Sequence, residues 1–548
     1  MNPIKTDDLS ARITSYVTEQ LEATIARFFP DLNVPRFFCG YRRAIFHEAP
    51  DLAYTLAALH NLGVKQISGI PIADAIARVL RTVDGKMTDT FFSYFVAESI
   101  LEFGTFNDDN PVIAQLNERE RGNLREAVDS TAVLDRQNNA LPHHARNYWA
   151  VLARCEWDRM ELGLITDRTV FDIAMEKVRE FLFENPSGFF DDERFSNGRY
   201  DSYSADMYLF VKPMWHCFDE AKLMENVHAH VRLIELAVEE NGAAITWGRS
   251  IGALSVCLSM EFMAFAIRYE LASDPGRAAA LIENAFAKIQ GWFSDDLTSA
   301  HRGRDTERYR GIHRLLQVTI NCLRKLCYAA EMLQARPATL TPPAELFPSR
   351  DELIRFDERN ASVWLFRNEH FSFQFAMVDG PNADYAPWFH QPGVFESPIG
   401  SQIYCGVPRI AQAGGLEFTT IGRPSAVAKS PGGLGVTYEE FRRIGGNAEE
   451  TPLKGKREAK YSVRGDVIAW EEELTLDEEP EEVSYFIPEA NHRLSVKVTS
   501  ENSFHQDVIN TSGMAEMRSP WCELTALHQI HFAPAKLIRF TIELKILT

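Results

Sequence analysis

The chain contains no run of about 18 consecutive apolar residues, so no membrane-spanning helix is expected. Its opening stretch, MNPIKTDDLSARITSYV, has neither an apolar core nor a small-residue cleavage site. A secretory signal is therefore not expected, and the predicted location is the cytoplasm. Positive charge is scarce: 57 Lys and Arg face 77 Asp and Glu, for a net charge of −20. That balance excludes broad electrostatic capture of nucleic acid or of an anionic membrane surface, though a local basic pocket for one anionic ligand is compatible with it. Cysteine is sparse and scattered, with eight residues, no CxxC and no zinc-type spacing. These cysteines are expected to be reduced thiols, and neither a metal nor a cofactor is predicted. No fixed-period repeat is visible.

What the chain does have is enough apolar material for large cores, 45% hydrophobic against 24% charged residues over 548 positions. At about 150 residues per domain, two to four units are expected. Up to about residue 335 apolar positions recur every three or four residues, which predicts helices. Twelve are predicted, over about 9–28, 40–61, 71–82, 88–103, 112–130, 144–161, 167–183, 204–217, 219–239, 248–271, 276–294 and 307–333. The proline-rich ARPATLTPPAELFPSRDE reads as a linker. Beyond it the period falls to two, in ASVWLFRNEHFSFQFAMV, DVIAWEEELTL, HRLSVKVTS and KLIRFTIELKIL, with DG, GG and NG turns between. The predicted domains are a helical domain over 1–335, a linker over 336–352 and an antiparallel β-sandwich over 353–548.

The helices differ in character. EAKLMENVHAHVRLIELAVEE has one charged face, whereas SIGALSVCLSMEFMAFAI is apolar nearly all round. Even-numbered helices thus read as an inner layer and odd-numbered ones as an outer layer, the pattern of an (α/α)6 toroid. An open helical solenoid is the alternative.

Consecutive antiparallel helices put every odd-to-even connection on one rim. That rim carries the long polar loops, where binding groups tend to be presented. RQNNALPHHARNYW brings Asn138, Asn139, His143, His144, Asn147 and Tyr148. RYDSYSADMY brings Tyr200, Asp201, Tyr203, Asp206 and Tyr208 to the start of an apolar helix, where Asp201 or Ser202 also suits an N-cap. ITWGRSIGAL places Trp247 and Arg249 before the most apolar helix. AHRGRDTERYRGIHR concentrates His301, Arg302, Arg304, Arg308 and Arg310 in an otherwise acidic chain. Trp388 and His390 sit in the β-domain loop DYAPWFHQPGVFESPIG, either packed within that domain or leaning over the toroid rim. Aromatic faces to stack on rings, with Arg and Asn to hold a carboxylate, suit an acidic oligosaccharide or polysaccharide as partner.

A helical toroid followed by an antiparallel β domain resembles the toroid polysaccharide lyases, the group that contains alginate, heparin and chondroitin lyases. The NN…HH, RYDSYS and WGRS segments are similar to polar rim motifs in that group and in related toroid proteins of unsettled activity. The resemblance implies β-elimination at a uronic acid. One group neutralises the C5 carboxylate, a base removes the C5 proton and an acid protonates the departing O4. Neutralisation acidifies the C5–H and stabilises the enolate-like intermediate. The resemblance implies Tyr203, or else Tyr200, as the tyrosine acid/base, with His144 or His143 as its partner. Asn139 and Arg249 would neutralise the carboxylate, with His301 and Arg302 assisting binding. Asn138, Asn147, Tyr148, Asp201, Trp247, Arg304, Trp388 and His390 complete the predicted substrate-binding set.

Two other readings remain. A glycoside hydrolase on the same scaffold would need paired carboxylates, for which Asp201 with Asp206, or Asp305 with Glu307, are available. A non-catalytic carbohydrate-binding protein would use the rim for recognition alone.

Overall fold

The computed structural model of the chain describes residues 2–34, 48–84, 90–142, 144–185, 187–192, 198–249, 251–292, 312–398, 401–446, 450–490, 493–514 and 517–547. Twelve α-helices occupy the first part of the described chain. They are α1 (Thr6–Phe28), α2 (Glu48–Asn61), α3 (Ile72–Leu80), α4 (Thr90–Leu101), α5 (Glu118–Ala127) and α6 (Asn147–Glu161), then α7 (Thr169–Leu182), α8 (Ser202–Phe210), α9 (Glu220–Ala237), α10 (Ala253–Arg268), α11 (Pro275–Trp292) and α12 (Ile312–Gln334).

Local chemistry sets several of their limits. At α5, Asn117 accepts from the backbone N–H of Glu120 at 3.0 Å, while the Glu120 carboxylate accepts from the N–H of Asn117 at 2.9 Å, so two unpaired donors are satisfied reciprocally. Helix α8 is shorter than the predicted 204–217. Its α-helical part stops at Phe210 and continues as a 3-10 turn, Lys212–Cys217. Pro213 accounts for the break, because its ring has no N–H to give and collides with a carbonyl one turn back.

The layering follows burial. In α10, residues Val256 to Ile267 are buried without interruption. In α9, Leu223, Val227, Val231 and Ile234 form a buried stripe with solvent-facing residues between them. Each even helix packs on the next even one, α2 on α4, α4 on α6, α6 on α8, α8 on α10 and α10 on α12. Helix α12 then packs on α2, which closes the ring. Outside it, α1 lies on α12, α3 on α2, α5 on α4, α7 on α6, and both α9 and α11 on α10. This is an (α/α)6 toroid; closure of the inner ring excludes the open solenoid. No helix among the described residues is long and apolar enough to cross a membrane. The seven described cysteines are free thiols.

The proline-rich stretch lies along the toroid. Thr339–Leu340 pairs with Ile4–Lys5, and Leu346 O accepts from Arg277 Nε at 3.1 Å. Strands then follow. A four-stranded antiparallel sheet runs in chain order through Arg350–Arg355, Ser362–Arg367, Ser372–Met377 and Phe389–His390. A second, eleven-stranded sheet holds the strands from Arg409–Gln412 to Leu537–Leu547. It folds over on itself: Trp470 and Tyr485, on strands that do not pair, meet edge to face at 5.5 Å. The smaller sheet adds Phe375, 4.8 Å from Tyr461, to the same core. The result is the predicted antiparallel sandwich. Inside it, Arg457 and Glu472 are fully buried as a pair at 2.9 Å, and Tyr461, Trp470 and Tyr485 bond to their charged atoms.

The smaller sheet is what docks on the toroid. Glu239, buried at the end of α9, receives Arg367 at 3.1 Å and Gln374 Nε2 at 3.2 Å, and also contacts Arg350 and Ser372. Burial alone would raise the pKa of Glu239, but Arg350 and Arg367 outweigh it and hold the carboxyl below its ordinary value.

Candidate active site at the toroid rim

Three of the four long rim loops converge where α6, α8 and α10 begin. Asp201 is the N-cap of α8 and accepts from the Tyr203 N–H at 3.0 Å. The same carboxylate is fully buried, pairing with Arg249 Nε at 2.8 Å and with Arg199 Nε at 3.4 Å. Asp192, also fully buried, pairs with the far end of the Arg249 guanidinium and accepts the Asn147 N–H at 2.9 Å. Arg249 is thereby clamped between two carboxylates, with its guanidinium carbon 4.5 Å from the centre of the Tyr203 ring. Tyr203 is half-buried.

The β half completes this corner through Tyr385. Its hydroxyl donates to Asp201 Oδ2 at 2.8 Å and accepts from the Arg249 N–H at 3.1 Å and from Arg199 at 3.2 Å. Burial, then the charge of Asp201, pushes the Tyr385 pKa up, so the hydroxyl stays a donor. Burial works against the Arg199 cation, but Tyr385 and Asp201 outweigh it and raise its pKa. Gly248 lies beneath, with φ at +77°. A Cβ there would come within 2.8 Å of the Tyr385 ring and 2.9 Å of the Asp201 Cβ, so the approach depends on glycine.

The loop after α5 leads into α6, whose first residue, Asn147, meets this corner through Asp192. Its tip is a tight turn closed by backbone bonds between Asp135 and Ala140. Asn138 is exposed, its amide donating 2.7 Å to Asp135 within that turn; Asn139 is exposed with φ at +47°. His144 and Tyr148 stand with ring centres 4.5 Å apart, and Tyr148 also meets Phe91 edge to face at 5.2 Å. Asn147 is buried and positions Asp192 through its backbone.

Several predicted placements differ. Trp247 is not exposed on the rim: it is fully buried and its indole N–H donates 2.8 Å to Tyr200 O. Tyr200 is itself buried, bonded by Asn185 at 2.9 Å and packed on Phe356 at 4.8 Å, and burial with nearby Asp191 raises its pKa. It is therefore a poor candidate for a base. The loop holding Trp388 and His390 does reach the rim, but by Tyr385. Trp388 points instead into the sandwich, 6.2 Å from Trp470, and His390 is buried beside Ala386 O at 3.1 Å, its pKa pushed down to about 4 by burial. An alternating strand would have told these faces apart; an irregular loop carries no such period. His143, His301, Arg302 and Arg304 lie outside the described residues, as do Asp305 and Glu307.

Sequence reasoning missed Asp192, Arg199 and Tyr385. It also missed Lys325, which pairs with Asp206 at 2.8 Å and Glu261 at 2.9 Å across three inner helices. Acidic positions opposite an apolar inner helix were the available signal, since such groups need a buried cation.

No protein-family model matches the sequence, and no curated protein matches it. Among solved structures, the fold is similar to a chondroitin AC lyase mutant from Streptomyces coelicolor A3, at 10% identity and a TM-score of 0.47, covering 98% of this chain and 79% of that one. It is similar also to a heparan sulfate lyase mutant from Pedobacter heparinus, at 10% identity and a TM-score of 0.27, covering 99% and 89%. A third is a 4-alpha-glucanotransferase from Thermococcus litoralis, at 10% identity and a TM-score of 0.28, covering 63% and 55%.

Proposed function

We propose that this protein is a lyase that cleaves a uronic-acid-containing oligosaccharide or polysaccharide by β-elimination. The observation that carries the reading is the clamped Arg249 guanidinium 4.5 Å from the Tyr203 ring, at the mouth of an inner helix. Tyr203, acting as its phenolate, takes the C5 proton of the uronate and becomes the neutral phenol. The C4–O4 bond breaks, its electrons leave with O4, and the C5–H electrons become the C4–C5 double bond. His144 is the partner that returns a proton to O4.

Arg249 has a revised part in this reading. Asp192 and Asp201 already compensate its charge, so it fixes the Tyr203 ring in place rather than holding the substrate carboxylate. Asn139, at the exposed tip of the neighbouring loop, and the basic segment carrying His301, Arg302 and Arg304 are the groups assigned to the carboxylate. One of the two carboxylate pairs available to a hydrolase is engaged: Asp201 is tied to Arg249 and Tyr385, and Asp206 to Lys325, while Asp305 and Glu307 lie outside the described residues. An acid and a base poised across a glycosidic bond would have to be free to exchange protons.

The test is ultraviolet absorbance during incubation with a panel of uronate oligosaccharides, since elimination creates a conjugated C4–C5 double bond. A rise on at least one uronate, lost in Tyr203→Phe, is expected. New reducing ends with no absorbance on any uronate would establish hydrolysis instead, and saturable binding without turnover would establish a recognition protein.

A further inference from the structure

The geometry points to a site for a zinc-type divalent cation on the outer face of the β domain, built by His505, Asp507 and His531. These residues show no metal spacing in sequence. Strand pairing creates the set. Strand Phe504–Asn510 runs antiparallel to Ala526–Phe532 with His505 opposite His531 and Asp507 opposite Gln529. Alternation puts all four side chains on one face, opposite the core face that holds Ile530 and Phe532.

The donor atoms of His505, Asp507 and His531 lie within 4.8 Å of one another. The two imidazoles are stacked, with ring centres 4.7 Å apart and planes 7° from parallel. His505 Nε2 is 3.7 Å from Asp507 Oδ2. Drawing the exposed His505 and Asp507 side chains in by about an ångström toward the half-buried His531, with the His505 ring turned out of the stack so that both imidazole planes meet at one point, brings nitrogen and oxygen to the separations of a tetrahedral site with bonds of about 2.0–2.2 Å.

A second observation concerns His531. Its Nδ1 faces the carboxylate of Glu482, from the strand on the other side, where Ser484 pairs with His531. A carboxylate only accepts, so the ring hydrogen sits on Nδ1 and the Nε2 lone pair is directed away from Glu482. Metal-ligating histidines are oriented in this way, by a carboxylate on the non-ligating nitrogen. The Gln529 amide lies 3.3 Å from the same Nε2; its NH2, not its oxygen, is the group that can face an unprotonated nitrogen, and it turns aside when an ion takes that lone pair. Two imidazoles and one carboxylate select a borderline ion such as Zn2+ over Ca2+ or Mg2+, which prefer all-oxygen shells. Bound there, the ion ties the edge strand Phe504–Asn510 to its neighbour.

The experiment is competition of the tag-free, chelator-treated full chain with a chromophoric zinc chelator. One equivalent of Zn2+ is expected at neutral pH, lost below the histidine range because the ligands must be deprotonated. His505→Ala and His531→Ala should remove the equivalent, and Glu482→Gln, a positioning change, should weaken it by about tenfold or more. Asp507→Asn, which leaves both imidazoles in place, serves if a histidine variant fails to fold. Failure to retain one equivalent, or retention unchanged in these variants, would overturn the site.

Discussion

Tyr385 donates its hydroxyl to Asp201 across 2.8 Å, although 184 residues separate them in the chain. The bond joins the β half to the mouth of α8 and sets one wall of the corner that holds Arg249 and Tyr203. It makes the candidate site a product of both halves of the chain.

Tyr385→Phe removes the donor from a fully buried carboxylate and the acceptor from Arg199 and the Arg249 N–H. A loss of about 1–3 kcal/mol is expected. Asp201→Ala leaves two buried guanidinium groups short of a partner and should cost about 3–5 kcal/mol. Urea unfolding of both single variants and the double variant should show strong non-additivity. Additive losses would mean that the two residues act separately.

Tyr203→Phe should lower kcat by about 10²–10⁴-fold on a uronate substrate, with little change in KM. His144→Ala should lower kcat in the same range. Its effect should be relieved more by a substrate whose leaving group needs no proton. Retained turnover in Tyr203→Phe would move the base elsewhere.

Glu239→Ala leaves Arg350 and Arg367 buried without their shared carboxylate at the junction of toroid and sheet. A loss of about 3–5 kcal/mol is expected. Limited proteolysis should then cut between the two halves, in the 336–352 stretch, before either half is degraded. Uniform degradation would place the weakness elsewhere.

Glu396 is buried in a small cluster, with the Gly393 N–H donating to it at 2.6 Å, and burial pushes its pKa up to about 8. An ordinary carboxyl titrates near 4.3, so the folded state holds this proton through a window in which the unfolded chain has lost it. The contribution to stability is full below that lower value and declines as pH rises through about 8. Glu396→Gln should flatten the decline, by an amount on the order of several kcal/mol across the window. Equal slopes for both proteins in urea unfolding at pH 5 and pH 8 would exclude the effect.

Helix and strand periods were local signals, and they carried far. Twelve helices, their alternation between inner and outer layers and the change of period after the proline-rich stretch could all be read from residues a few positions apart. Tyr203, Arg249 and Asn147 were legible as rim residues because each stands at the start of an inner helix, where chain direction assigns the rim. Local sequence also marked Asp201 or Ser202 as the cap, and Asp201 takes that place.

Facing and pairing were decided only by the tertiary structure. Trp247 reads like an exposed rim aromatic and Trp388 fits either a packed loop or the rim, because a loop has no period to show which way an indole points; burial of a large apolar ring settled both inward. Asp192, Asp201, Arg199, Arg249 and Tyr385 became one network only when three loops and the second domain met, since a buried charge is tolerated where its partners converge. His505 and His531 became a pair only through strand register. The chain's own periodicity determined the layered helices and the antiparallel strands, whereas closure of the helices into a ring came from the packing of α12 on α2, far apart in sequence. Long-range desolvation and pairing decided which of their polar residues face one another.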